Sequence, residues 1–286
     1  MHRRFTKKNA ANALKYLLLL AGGAVSVMPM VYMVSTSLKP NGALYEFPPR
    51  FFPSAEELTA ENYQYIFAQE KFYQNFLNSA AVTILTVLIA AFIATALAFC
   101  LARFRFPGRK AVFVVIIGAI SVPGIALAVP QFLLFAKLNL TNTPWAMIIP
   151  SLVSTFGLYL MWIFSEQAVP TELLEAARVD GAGELRTFFQ VSLPLLAPGI
   201  VTTALFSIVA TWNNYFLPLI MLKDSNWYPL TIGLNQWKDQ ASTAGGQAIQ
   251  NLVITGSLVT IIPLVIAFLC LQKYWQSGLA AGAVKE

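Results

Sequence analysis

Charge is what this sequence has least of. Only 11% of its 286 residues are Asp, Glu, Lys or Arg, against about 25% in an average soluble domain. With 57% of residues hydrophobic, the composition is that of a membrane protein, and two soluble domains beside a membrane region do not fit the length. Histidine is almost missing. The single copy, His2, stands at the start of a basic tail and offers neither a metal set nor an acid–base pair. The two cysteines, Cys100 and Cys270, lie deep in apolar runs. They read as buried fillers, with no disulfide framework and no metal spacing. No Gly-x-x-x-x-Gly-Lys-Ser/Thr loop occurs, so the chain has no nucleotide-hydrolysing loop of its own. The apolar runs hold almost no ionisable group, which argues against a polytopic membrane enzyme, since that needs convergent His, Asp, Glu or Ser. The net charge of +6 does not indicate nucleic acid, because the basic residues flank apolar runs.

What is present is a series of long uncharged stretches. A helix needs roughly 20 apolar residues to cross a bilayer. Trimmed at polar ends and prolines, the stretches predict spans near 15–37, 76–102, 111–136, 144–165, 198–221 and 250–272. Each is expected to be helical, because backbone groups in lipid must satisfy one another. The fold class is therefore an all-α integral membrane protein with six transmembrane helices. Arg3, Arg4, Lys7, Lys8 and Lys15 precede an apolar run too long for a signal-peptide core, so a retained first span is expected. With the N-terminus inside, 13 of the 19 Lys and Arg residues fall on the cytoplasmic side, the short stretch 103–110 being the densest. Both termini are then cytoplasmic. The layout is a basic tail (1–14), a first helix and outer loop (15–71), a core (72–275) and a C-terminal tail (276–286).

The outer stretch 39–71 contains Phe47-Pro48-Pro49 and Phe51-Phe52-Pro53, expected to be extended. It ends in an aromatic amphipathic segment with Tyr63, Tyr65, Phe67, Phe72 and Tyr73, a composition that marks a membrane–water boundary. Pro29, Pro123 and Pro130 predict kinks or hinges within spans. A second outer stretch, 223–246, with Trp227, Tyr228, Trp237 and Gly245-Gly246, reads as a polar loop.

One polar interruption stands out between two uncharged segments, residues 170–198. It places Glu172, Glu175, Asp180 and Glu184 against Arg178 and Arg186. Pro170-Thr171 predicts a helix start with acidic residues in its first turns. Gly181 predicts a left-handed stop. A second short helix should present Leu185, Phe188, Phe189 and Ser192 on one face and end at Pro194 and Pro198. Glu175, Ala176 and Ala177 lie side by side. Alanines let another surface approach closely, and a neighbouring carboxylate can pair with a basic group on it. The same residues also suit an ordinary loop helix whose charges face water.

In the fifth span, Trp212, Asn213, Asn214 and Tyr215 place two amides and two amphipathic rings on about one helical turn. Amides in an apolar helix need partners. They can bond a neighbouring helix, or line a path for a solute rich in hydroxyl groups.

Glu175-Ala176-Ala177, three residues, Gly181, nine residues and Val191-Ser192-Leu193-Pro194 resemble the EAA loop of ABC importer permeases, with Val191 in place of the usual Ile. Asp180-Gly181-Ala182, Phe188 and Leu193-Pro194-Leu195 look like the carbohydrate-uptake branch, as do Glu61-Asn62-Tyr63, Asn75-Phe76-Leu77-Asn78-Ser79 and Trp212-Asn213 with Phe216. Trp162-Ile163 departs from that pattern, where members often carry Arg or Lys. The resemblance implies the type I importer permease fold. Glu175, Ala176, Ala177, Asp180, Gly181, Leu193 and Pro194 would then couple the chain to an ATPase, and Trp212, Asn213, Asn214 and Tyr215 would line the substrate path. It implies as partners a second permease, two copies of a cytoplasmic ABC ATPase and an external solute-binding protein facing 223–246. It implies no cofactor on this chain, with ATP and Mg2+ on the ATPase subunits. Permeases for polyamines, amino acids or peptides are the related alternative.

Overall fold

The computed structural model describes residues 2–40, 50–241 and 250–283, and among them there is no strand. In chain order the helices are α1 (His2–Ser37), α2 (Glu61–Ala68), α3 (Glu70–Arg103), α4 (Arg109–Ile120), α5 (Ala128–Lys137), α6 (Trp145–Ser151), α7 (Thr155–Ala168), α8 (Thr171–Val179), α9 (Glu184–Thr187), α10 (Leu193–Leu195), α11 (Ala197–Trp212), α12 (Phe216–Met221), α13 (Leu230–Ala241) and α14 (Gln250–Ala283). The expectations for Phe47-Pro48-Pro49 and Gly245-Gly246 lie outside the described residues.

Four helical stretches are long and apolar enough to cross a bilayer: Ala11–Ser37, Glu70–Arg103, Trp145–Ala168 and Gln250–Tyr274. Two bent pairs, Arg109–Ile120 with Gly124–Lys137 and Glu184–Leu195 with Ala197–Trp212, bring the total to as many as six. The expected all-helical set of spans is thus present, but three are not the continuous rods that hydropathy suggests. The third is broken by 101°, where Pro123 adopts an extended ψ of 127° ahead of a 3-10 turn at Gly124–Leu127. This is a break rather than a kink. The fourth opens between Ser151 and Thr155, where the Ser154 hydroxyl accepts from the Gly157 amide at 3.0 Å and starts α7 afresh. The fifth stops at Trp212 and resumes at Phe216.

Other expectations are corrected as well. Cys100 and Cys270 are exposed on their helices rather than buried. Long apolar runs tell which residues enter the membrane, but their periodicity is too weak to say which face turns outward. The stretch 223–246 contains a helix, α13, in place of a polar loop. The C-terminal tail is helical as far as Ala283.

The chain divides into two compact units, Met1–Glu70 with Leu234–Ile261, and Lys71–Gly233 with Ile262–Glu286. The first is held by a buried polar knot. Asn62, 1% exposed, donates to the carbonyls of Ser37 at 2.9 Å and Lys39 at 2.8 Å. Asn251 donates to Lys39 O at 3.1 Å and Pro40 O at 2.9 Å. Tyr63 and Ser37 share a hydroxyl–hydroxyl bond of 2.7 Å, and the Lys39 ammonium donates to Arg50 O. These amides satisfy the carbonyls that the end of α1 leaves open. Asn62→Leu removes both donors and strands a buried carbonyl, at a cost of roughly 2 kcal/mol. Its thermal unfolding midpoint in detergent, followed by circular dichroism, is expected to fall measurably. An unchanged midpoint would show that the knot does not stabilise the unit.

In the second unit, α3 carries the polar stretch 75–79 at its outer end. Asn78 donates to Asn226 O at 2.7 Å and Tyr228 O at 3.0 Å. Lys71 reaches the Asn226 amide oxygen at 2.8 Å, and Ser79 Oγ accepts from the Leu230 amide at 2.8 Å. Asn142 (φ 60°) forms a second clasp, its side-chain oxygen accepting from the amides of Lys223 and Asp224 at 2.9 and 2.8 Å. At the opposite end of α3 lies the main apolar core, where Ala94, Ala98 and Phe99 meet Leu158 and Met161 of α7 together with Leu174, Phe188 and Leu196.

Candidate functional site

That core is how the polar interruption is wired to the spans. Helix α8 starts at Thr171 after an extended Pro170 and ends at Val179, just before Gly181, whose φ of +77° is the left-handed stop. It inserts a single side chain, Leu174, 2% exposed, beneath the end of α3. Phe188 makes the second anchor, its ring centroid 5.2 Å from that of Phe99. Arg103, the last residue of α3, donates to Ser165 O and reaches Thr171 Oγ1 at 3.4 Å. It thereby joins α3, the end of α7 and the start of α8 through one guanidinium.

Apart from a half-buried Ala177, the rest of α8 is exposed. Glu175 and Ala176 are exposed and Ala177 is half-buried. Glu175 has no hydrogen-bond or ion-pair partner among the described residues. Asp180 and Gly181 are exposed at the tip. Arg178 and Glu184 pair across the turn at 2.9 Å. The hydrogen bond from Arg178 to that carboxylate raises the guanidinium pKa further, with Glu175 adding in the same sense. Both partners are nearly half exposed, so the pair shapes the tip more than it stabilises it. Beside these charges stand apolar side chains that a soluble loop would hide: Val179 is 87% exposed and Leu185 76%.

The second short helix departs from its expected form. It does not end at Pro194. Helix α9 passes into a π turn, Phe188–Ser192, in which the Leu193 amide bonds Phe188 O five residues back. Proline at 194 has no N–H to give, and the wider turn takes up the mismatch. The chain continues through α10 and then swings 75° into α11. Leu193 is half-buried and Pro194 exposed. The extra residue in the turn also splits the expected face. Phe188 and Ser192 are buried, whereas Leu185 and Phe189 are exposed.

The four residues considered for a solute path lie in different surroundings. Trp212 is buried and meets the Phe76 ring at 5.9 Å, edge to face. Asn213 is exposed and donates back to Val209 O at 2.9 Å. Tyr215 is half-buried in the break. Only Asn214 lines the cavity of about 410 Å³ between the two broken spans, with Ser151, Ser154, Ser207 and Thr211. Its side-chain oxygen accepts from the Leu217 amide at 3.3 Å and its carbonyl from Thr231 Oγ1 at 2.9 Å. A T-shaped pair, Phe156 and Phe206, forms an apolar wall with centroids 5.5 Å apart. The hydroxyls of this cavity went unremarked in the sequence, because scattered Ser and Thr in apolar helices carry no pattern. Arg103 and Leu174 were also missed as anchors. A basic residue closing a long span was the only available signal.

Comparison with known proteins follows from this geometry. A profile of the family described as binding-protein-dependent transport system inner membrane component matches residues 90–280. The chain is 30% identical over 262 residues to the arabinooligosaccharides transport system permease protein AraQ of Halalkalibacterium halodurans, covering 91% of this chain and 92% of that protein. It is 26% identical to the diacetylchitobiose uptake system permease protein NgcG of Streptomyces coelicolor, covering 96% and 89%. In fold it resembles a chain of a bacterial ABC transporter involved in the import of the acidic polysaccharide alginate, with a TM-score of 0.84 at 22% identity over 93% of this chain and 97% of the other.

Proposed function

Since the chain belongs to the family of binding-protein-dependent transport system inner membrane components, we propose that it is one permease of an ATP-driven sugar importer in a bacterial cytoplasmic membrane. The observation that carries this reading is α8. It is a helix anchored by one buried leucine, with its small and acidic face left open beside the exposed Val179 at its end and Leu185 just beyond it. Such a surface suits a groove on a separate subunit. The charge distribution of the chain supports a cytoplasmic position for it.

In this mechanism Glu175, Ala176, Ala177, Asp180 and Gly181 receive the movement of a cytoplasmic ATPase that binds ATP and Mg2+. Leu174, Phe188 and Arg103 pass it to α3 and α7, and Leu193 and Pro194 pass it through the π turn to α11. The spans then exchange outward-open and inward-open arrangements. A second permease completes the path, and a solute-binding protein delivers the sugar from outside. Asn214 and the serine and threonine hydroxyls around it supply partners for sugar hydroxyl groups, and the Phe156–Phe206 wall suits the apolar face of a ring. Trp212, Asn213 and Tyr215 support that segment rather than touch solute.

The test is reconstitution. The chain, purified with its co-expressed subunits and placed in liposomes with binding protein, is expected to accumulate a labelled oligosaccharide only when ATP is supplied on the cytoplasmic side. Accumulation of a polyamine, amino acid or peptide instead would move the assignment to a different solute class.

A further inference from the structure

Between the inner ends of α3 and α4 lies a second cavity, of about 720 Å³, which the transport mechanism does not use. Its lining combines two chemistries. Leu101, Phe113, Val114 and Trp162 are apolar, while Arg105 and Lys110 are cationic. Arg109, also at its edge, is already paired with Glu166 at 3.1 Å. Arg105 and Lys110 are both exposed and have no hydrogen-bond or ion-pair partner among the described residues. The cavity thus has unspent positive charge at its rim and no carboxylate in its lining.

Its apolar wall is built rather than incidental. Trp162 packs on Phe113 with centroids 4.4 Å apart. Helix α4 buries none of its residues within the chain, and Val114 is 68% exposed. The wall therefore continues into a surface suited to hydrocarbon. The Lys and Arg distribution puts this rim at the cytoplasmic membrane boundary. Basic pockets between spans on that side take acidic lipid headgroups.

We infer that this cavity binds one anionic phospholipid of the inner leaflet. Arg105 and Lys110 hold its phosphate, and Phe113, Val114 and Trp162 hold the start of an acyl chain. The site stands independently of the solute assignment. The occupant is a lipid rather than a soluble phosphate because the cationic rim alone would suffice for the latter, whereas most of the lining is apolar.

The test is native mass spectrometry of the full-length chain with its co-purifying subunits, delipidated and titrated with phosphatidylglycerol, phosphatidylethanolamine or glycerol phosphate. Phosphatidylglycerol is expected to be retained in preference to phosphatidylethanolamine, and glycerol phosphate should not displace it. Arg105→Gln with Lys110→Gln should weaken retention about twenty-five-fold, roughly a factor of five for each cation lost near the membrane surface. Lys137→Gln, outside the site, should leave it unchanged. Equal retention of the two lipids, displacement by glycerol phosphate, or undiminished retention by the double variant would each overturn the proposal. If the double variant does not fold, the lipid preference of the unaltered chain decides alone.

Discussion

Glu175→Arg is expected to yield a folded chain that no longer captures its ATPase and no longer supports uptake. The side chain is exposed and makes no hydrogen bond or ion pair among the described residues, so reversing its charge removes only its solvent-screened attraction to Arg178. Any penalty must come from the surface it meets. If a basic group on the ATPase pairs with this carboxylate, removing one partner of such a charge pair costs about 2–5 kcal/mol. Reversal adds repulsion, so ATPase retention should fall by about two orders of magnitude or more. Pull-down of the ATPase and sugar uptake in liposomes are the two readouts, with the unfolding midpoint as control. Glu172→Arg, one turn earlier on the same exposed helix, should be milder. Wild-type uptake by the Glu175 variant would remove α8 from the mechanism.

Gly199→Val should prevent accumulation of folded protein, for a reason that is purely steric. A Cβ at 199 would lie 2.6 Å from Cγ, 2.8 Å from Cβ and 2.9 Å from Cδ2 of Phe164. Two of these atoms belong to a ring that could turn, but the Phe164 Cβ is fixed to the α7 backbone. Relief therefore requires α7 and α11 to separate. Overpacking of this kind typically costs about 1–3 kcal/mol, and a contact this close on a helix-to-helix seam belongs at or above the upper end. The check is monodispersity and yield by size-exclusion chromatography in detergent. Combining Gly199→Ala with Phe164→Gly, which removes the fixed Cβ together with the ring, should restore much of the folded fraction and so identify that side chain as the obstacle. A well-behaved Gly199→Val protein would mean that the seam is looser than described.

Much of this was legible from residue types alone. The apolar runs located the spans, the acidic first turn and Gly181 located both ends of α8, and Glu175-Ala176-Ala177 marked its open face. What escaped was the work of single polar side chains at breaks and clasps. Ser154 looks like any serine in an apolar run until its hydroxyl is seen starting α7. Asn214 looked like a residue within a helix, but it sits in a break and caps the helix that follows. Asn142 gave no hint that it would close on Lys223 and Asp224, because its left-handed backbone and its partners some eighty residues away leave no local mark. The face of α9 was misjudged for a different reason. Counting at 3.6 residues per turn fails across a π turn, so Leu185 and Phe189 were grouped with Phe188 and Ser192.

The open side chains of Val179 and Leu185 also bear on how such a chain survives before assembly. An orphan copy displays a greasy knob to the cytosol, the kind of feature that chaperones and quality-control proteases seize. Its lifetime would then depend on how soon a motor subunit covers that knob.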